Sequence, residues 1–414
     1  MKAVVLSGGG SKGAYQIGVW RALRKLNISY DLVTGTSVGA LNGALMVQKD
    51  YLKGLWLWYN MDFKLIFGEE IKADYNTKDG KKEILKHYTK NILLDGGMDI
   101  TKLENTVSKV LNTKKFYKSP VDMGFVTFKL SKLEPMLMKK KNIKPEKLKD
   151  YLIASASCFP AFKKKKIDNE DYIDGGIYDN LPINLAIDMG ATEIIAVDLK
   201  EVGIKQKVKN KNIPIIYISP NNDIGSFLVF QKDYARLAMH FGYNDTMKVF
   251  KKLEGNKYTF KKGELEKNYL KYKNIYFNKI KDIFLDNENN KMLDKVIKIT
   301  ALKRIIYNDI QRNTIKEFNK HIELLGILFD IDQTKIYTAN KFNKKLISYY
   351  NSSKDEEIKS KIKNHNLKML FNNKYTIKYI VKELENNKNK KDIINLAILF
   401  PNEFLAAVYI YSIK

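Results

Sequence analysis

Two glycine-rich motifs contain residue types that suit ester chemistry. The first is Gly35-Thr36-Ser37-Val38-Gly39, which follows a strand-like run and precedes a helical pattern. A serine on such a sharp turn has strained backbone angles and presents its hydroxyl away from the sheet. Glycines at positions 35 and 39 make room for the neighbouring strand and helix, and a helix N-terminus favours developing negative charge. We interpret Ser37 as a nucleophile; a plain glycine-rich turn is the alternative.

The second motif is Gly8-Gly9-Gly10-Ser11-Lys12-Gly13, between strand-like residues 3–6 and a helical pattern over residues 14–26. Successive glycines let several backbone N–H groups point at one phosphate or oxyanion, and Lys12 adds positive charge. The pattern GxxxxGK[ST] of a phosphate-binding loop is absent. The dinucleotide pattern GxGxxG is present, but Asp31 precedes the second strand, whereas that fold needs the acidic residue at the strand's end. The loop therefore suits a phosphate or an oxyanion.

A third motif, Asp174-Gly175-Gly176, follows strand-like residues 172–173 and precedes Asp179-Asn180-Leu181-Pro182. Alone it would indicate a hairpin turn. The order of glycine loop, GxSxG and DGG resembles the patatin-like phospholipase family, from residue 1 to about residue 258. The resemblance implies a catalytic dyad of Ser37 and Asp174 and an oxyanion loop over residues 8–13. The supporting motif residues are Gly35, Gly39, Gly175 and Gly176.

The resemblance also implies hydrolysis without a metal ion or other cofactor. Asp174 would take the proton of the Ser37 hydroxyl, and its pKa would have to be raised, because a carboxylate is a weak base for a hydroxyl. The four histidines have no motif-like setting; they are His87, His240, His321 and His365. A serine–histidine–aspartate triad would require His87 or His240 to fold back onto Ser37.

The net charge of +27 favours anionic partners, although Lys and Asn enrichment from an AT-rich genome explains much of it. Lysines at residues 163–166 shortly precede Asp174 and are predicted to lie on a hairpin beside the catalytic strand. They indicate either a solvated turn or a patch facing an anionic membrane surface. No helix-turn-helix, RNP or zinc-finger pattern is present, so we expect no nucleic-acid partner. The oligomeric state is not indicated.

The pattern of elements predicts an α/β fold with a doubly wound, mostly parallel sheet and flanking helices. Buried strands are expected at residues 3–6, 32–33, 124–128, 194–197 and 215–218. We expect a catalytic domain over residues 1–260 and a mainly helical region of unknown role over residues 261–414. Residues 45–67 are rich in aromatic side chains and are predicted to continue the helix after Ser37. They are expected to form either part of the core or a lipid-contacting cap. Polar residues 72–97 are predicted to form a loop or lid.

The chain begins without an apolar stretch long enough for a signal peptide, so a cytoplasmic protein, peripheral at a membrane at most, is expected. The sequence predicts a carboxylic ester hydrolase that acts on phospholipids or other lipid esters. The alternative is a non-enzymatic basic protein that binds phosphate, lipid or nucleic acid.

Overall fold

The chain divides into two compact units, Met1–Val249 and Phe250–Lys414. A computed structural model describes residues 1–71, 73, 77–284, 312–352, 373–386 and 390–414. The first unit contains all three motifs.

An eight-stranded mixed sheet forms the centre of the first unit. Its strands run in the order β5-β6-β3-β2-β1-β7-β8, and β4 pairs with β3. Pairing is parallel between β1 and β2, β2 and β3, β1 and β7, and β7 and β8, and antiparallel elsewhere. The strands are β1 Lys2–Leu6, β2 Leu32–Thr36, β3 Asp122–Lys129, β4 Glu134–Lys139, β5 Lys165–Ile167, β6 Glu170–Asp174, β7 Glu193–Val197 and β8 Ile215–Ile218.

Ten helices are described around this sheet. They are α1 Ala14–Lys25, α2 Val38–Val47, α3 Tyr51–Tyr59, α4 Phe63–Phe67, α5 Lys78–Asp95, α6 Thr101–Val110, α7 Thr113–Lys118, α8 Leu148–Ser155, α9 Ile183–Asp188 and α10 Lys232–Val249. Short 3₁₀ turns occupy Gly10–Gly13, Lys140–Asn142, Pro145–Lys147 and Gly175–Ile177.

Helices cover both faces of the parallel strands. Ala3 and Val5 of β1 share one apolar cluster with residues of α9. Gly43 of α2 lies against the side chains of Val33 and Leu6 on the opposite face. Strands covered on both sides bury most of their side chains, which is why β1 and β7 read as continuous hydrophobic runs. The predicted α/β class and mostly parallel sheet are confirmed.

Two expectations about elements are wrong. β8 is an edge strand, and its residues Ile216 and Tyr217 are exposed rather than buried. Residues 72–97 do not form a loop, because α5 occupies most of them. The Thr77 hydroxyl accepts the Gly80 N–H at 3.0 Å to begin this helix, and Gly96 ends it in the left-handed conformation. Residues 72 and 74–76 lie outside the described residues.

The aromatic segment after Ser37 is divided among α2, α3 and α4 rather than forming one helix. Trp58 and Phe63 are buried in the core, whereas Trp56 and Tyr59 are exposed. The segment therefore serves mainly as core, with part of its aromatic surface left outside.

The described part of the second unit is mainly helical. Its helices are α11 Glu264–Phe284, α12 Arg312–Leu328, α13 Ala339–Ser352, α14 Asn373–Asn386, α15 Lys390–Leu399 and α16 Pro401–Ile413. A small sheet joins β9 Leu253–Glu254, β10 Thr259–Lys261 and β11 Ile336–Tyr337. The helices share one apolar core, in which α16 is buried almost throughout. Within the described residues, no helix of the chain combines the length and hydropathy of a membrane span.

Candidate active site

Ser37 occupies a strained turn between β2 and α2. Its φ of 57° and ψ of −129° place a non-glycine residue in a rarely populated region. The turn is held by hydrogen bonds: the Ser37 N–H donates to the Ser155 hydroxyl at 3.0 Å, and that hydroxyl donates to the Val126 carbonyl at 2.6 Å. Such over-determined strain is typical of a serine presented for reaction.

The flanking glycines are required by close backbone approaches. A Cβ on Gly35 would lie 2.4 Å from the Gly39 carbonyl oxygen, and a Cβ on Gly39 would lie 2.3 Å from the Leu6 carbonyl oxygen. Neither oxygen belongs to a flexible side chain, so a larger residue would push β1, β2 and α2 apart.

We expect Gly39→Ala to lower the free energy of unfolding by about 1–3 kcal/mol, because the added methyl group overpacks a backbone contact. Gly43→Ala in the same helix is the matched control, since its Cβ would meet only side-chain carbons at 3.1 Å or more. Chemical denaturation of both variants measures the difference. Equal stability of the two variants would contradict the packing argument.

β3 brings Asp174 to Ser37. Thr36 pairs with Val126 in parallel, and Asp174 pairs with Thr127 in antiparallel. Because β4 occupies the opposite edge of β3 along these residues, β2 and β6 meet end to end on one edge. Ser37 directly follows β2, and its side chain lies near enough to the Asp174 carboxylate to lower the pKa of that group.

Burial raises the pKa of Asp174 to about 6, although the hydrogen bonds from Ser37 and from the Gly176 N–H act to lower it. The Gly176 N–H donates to Asp174 Oδ1 at 2.7 Å. A carboxylate with this pKa is ionised at neutral pH and is a stronger base than an ordinary aspartate. The nearby Asp179 is also buried, and desolvation raises its pKa to about 6.

The glycine loop leaves two backbone N–H groups for a ligand. Three other backbone N–H groups of the loop already donate to backbone carbonyls: Gly8 to Asn180, Ser11 to Phe227 and Lys12 to Gly9. Among the described residues, no hydrogen-bond acceptor is recorded for the N–H groups of Gly9 and Gly10. Both glycines line the cavity at Ser37, so they are the candidate oxyanion donors.

The remaining residues of the predicted oxyanion loop have other contacts. The Lys12 ammonium forms an ion pair with Glu201 at 2.5 Å, and both side chains are mostly buried. The Ser11 hydroxyl donates to the Ser226 carbonyl at 2.8 Å. A Cβ on Gly13 would lie 2.3 Å from Val38 Cγ2, so this glycine packs against α2. The charge of Lys12 is therefore balanced by Glu201, which the sequence did not single out.

An apolar cavity of about 590 Å³ opens at Ser37 and Asp174. Its walls come mainly from α2, α3, α6 and the segments around residues 159–162 and 227–230; the wall residues include Leu41, Leu45, Leu57, Leu103, Val107, Phe162 and Phe230. Its size is that of a small-molecule site, and its lining suits a hydrocarbon chain. The sequence motifs predicted the residues at the mouth of this cavity, but they did not predict the apolar residues of its walls.

No histidine is recorded among the residues that line this cavity in the described part of the chain. His87 lies on α5 and contacts Glu69 at 3.0 Å, and His240 is exposed on α10. His321 belongs to the second unit, and His365 lies outside the described residues. The structure therefore brings Asp174, rather than His87 or His240, to Ser37.

Residues 4–187 match the family model described as Patatin-like phospholipase. The chain is similar to "Patatin-like phospholipase domain-containing protein 6" of Mus musculus, with 28% identity over 212 residues, 48% of this chain and 13% of that protein. It is similar to the "cUMP-AMP-activated phospholipase" of Escherichia coli, with 24% identity over 226 residues, 49% of this chain and 62% of that protein.

The crystal structure of VipD from Legionella pneumophila aligns with 98% of this chain and 91% of that chain, at 13% identity and a TM-score of 0.35.

The chain spans less than two thirds of the length of the two curated relatives, and each match covers about half of this chain. The region matched by the family model contains the three motifs. Residues 4–187 of the chain are therefore similar to the patatin-like phospholipase family.

Proposed function

We propose that this protein is a serine acyl hydrolase that cleaves ester bonds of phospholipids or related lipids. The observation that carries the proposal is the placement of Ser37 beside the buried Asp174 carboxylate in one apolar cavity. The family match and the phospholipase names of two relatives support the same substrate class.

The reaction starts when Ser37 Oγ attacks the ester carbonyl carbon and Asp174 takes the hydroxyl proton. The N–H groups of Gly9 and Gly10 stabilise the oxyanion that forms on the carbonyl oxygen. The ester C–O bond then breaks, and the leaving alcohol receives the proton from Asp174. Water attacks the acyl-enzyme and gives a proton to Asp174. The fatty acid leaves as the Ser37 hydroxyl is restored.

Mass spectrometry of lipids after incubation with the protein tests this proposal. With phosphatidylcholine or lysophosphatidylcholine vesicles, we expect free fatty acid together with the deacylated lipid, in equal amounts. Vesicle binding without fatty-acid release would favour the alternative, a non-enzymatic lipid-binding protein.

Contact with a lipid surface is part of the proposal. Four exposed apolar side chains surround the cavity mouth, and we name them the apolar rim: Phe159, Ile177, Val202 and Ile204. Val202 is 90% exposed, which is unusual for a side chain at an apolar cavity. Insertion of the apolar rim among acyl chains would remove this surface from water and place the mouth at the substrate.

The lysines at residues 163–166 contribute less free charge than their number suggests. Lys164 pairs with Asp171 at 2.5 Å, and Lys165 pairs with Glu104 at 2.9 Å and Asp150 at 3.3 Å. The lysines do lie on and before β5, which pairs with the catalytic strand β6 as expected. Attraction to an anionic membrane is therefore secondary to the apolar rim in this proposal.

We expect Val202→Asp to lower vesicle binding and vesicle hydrolysis, because a charge at the apolar rim opposes insertion. Hydrolysis of a small soluble ester should not change. Leu52→Asp is the matched control, since Leu52 is 75% exposed and does not line the cavity. Vesicle sedimentation and a soluble-ester assay measure the two effects. Equal vesicle binding by the two variants would contradict the role of the apolar rim.

A further inference from the structure

The cavity extends from Ser37 along one face of α2. Val38, Leu41, Asn42 and Leu45 line it. They stand at positions i, i+3, i+4 and i+7, which share one face of a helix. From Val38 to Leu45 the helix rises about 10 Å. The cavity therefore has a long axis that leads away from the reacting hydroxyl, parallel to α2.

The far end of this cavity is closed by Val110 and Leu111, which also line it. Gln48, directly after α2, holds them there: its side-chain amide donates to the Val110 carbonyl at 2.8 Å and accepts the Asn112 N–H at 2.9 Å. The Lys53 ammonium donates to the same Val110 carbonyl at 3.3 Å. The residues that close the cavity are thus fixed at the end of α2 opposite Ser37.

The polar side chains Asn42 and Trp58, on the part of the wall along α2 and α3, form hydrogen bonds within the protein. The Trp58 indole N–H donates to Asn42 Oδ1 at 2.8 Å. The Asn42 side-chain N–H groups donate to the Gly13 carbonyl at 3.0 Å and to Gln16 Oε1 at 2.8 Å. Because these groups are already bonded to one another, the wall offers a hydrocarbon chain contact without leaving a buried polar group unpaired.

From this geometry we propose that one acyl chain of the substrate lies along α2 and that Val110 sets the longest chain the cavity accepts. The inference rests on the proposed acyl hydrolase function and adds a specificity-determining residue to it. A chain that reaches Val110 fills the cavity, and a longer one must bend or leave its carbonyl short of Ser37. Substrates are then esters with one long acyl chain buried and the alcohol part at the cavity mouth.

Substitutions at Val110 test the proposal in both directions, with the full chain and p-nitrophenyl acetate, octanoate and palmitate as substrates. Val110→Phe shortens the cavity, so kcat/KM for octanoate relative to acetate should fall about 10- to 200-fold, the usual effect of a misfit methylene. Val110→Ala lengthens the cavity, so kcat/KM for palmitate relative to acetate should rise. Val19→Ala is the matched control, because Val19 is equally buried in α1 but does not line the cavity.

Acetate hydrolysis by each variant reports that the fold and the reaction are intact. If Val110→Phe loses acetate hydrolysis, Leu111→Phe tests the same end of the cavity. Octanoate-to-acetate and palmitate-to-acetate ratios that stay at the wild-type values in the Val110 and Leu111 variants would overturn the inference while leaving the hydrolase proposal in place. A wild-type protein that hydrolyses none of the esters would overturn the hydrolase proposal itself.

Discussion

Replacing Ser37 with alanine should lower ester hydrolysis on the order of 10⁴- to 10⁶-fold, because no other group can form the acyl-enzyme. The overall fold should remain, since the backbone N–H of residue 37, which alanine keeps, makes the hydrogen bond to the Ser155 hydroxyl that holds the turn. Initial rates with p-nitrophenyl acetate and circular dichroism measure the two outcomes.

Ser37→Gly provides a second inactive variant that also tests the strained turn. Glycine adopts a φ of 57° readily, so this variant should be more stable than Ser37→Ala by about 1 kcal/mol. Substantial hydrolysis by either variant would exclude Ser37 as the nucleophile. Equal stability of the two would exclude the proposed backbone strain.

Asp174→Asn should lower turnover about 10²- to 10⁴-fold, because it keeps the shape of the side chain and removes the proton acceptor. Wild-type activity should rise with pH through about 6 as Asp174 ionises. Because the pKa of Asp179 is also about 6, the wild-type profile alone does not identify the base. His87→Gln and His240→Gln are the controls and should keep most of the activity. A histidine variant as inactive as Asp174→Asn would contradict the dyad.

The same substitution should stabilise the protein. The pKa of Asp174 in the folded protein is raised above its ordinary value of 3.8, so its contribution to the free energy of unfolding is greatest at low pH and is lost as the pH rises toward 6. Above that pH, the buried carboxylate costs up to about 3 kcal/mol, which asparagine avoids. Chemical denaturation should give Asp174→Asn a higher free energy of unfolding than the wild type at pH 8 but not at pH 4.

The sequence predicted the parts of the site that depend on local backbone chemistry. Gly35 and Gly39 are needed wherever a strand turns sharply into a helix, so the turn at Ser37 could be recognised without the fold. The parallel strands were predictable because burial on both faces makes them apolar throughout. The roles of Ser37 and Asp174 in catalysis stay predictions, as does the domain boundary at residue 260.

The parts of the site that could not be predicted from the sequence depend on pairing between strands far apart in the chain. The meeting of β2 and β6 on one edge of β3 depends on register between segments far apart in the chain. Glu201 and Ser155 belong to no catalytic pattern, and only the fold places them beside Lys12 and Ser37. The polar composition of residues 72–97 masked α5, whose few buried contacts, such as Ile84 and Tyr88, are enough to hold a capped helix.

Fluorophosphonate labelling followed by peptide mass spectrometry tests the central proposal most directly, because the probe reports an activated serine without assuming a substrate. We expect one label on the peptide that contains Ser37, no label in Ser37→Ala and slower labelling in Asp174→Asn. A label on another serine, or labelling that persists in Ser37→Ala, would contradict it.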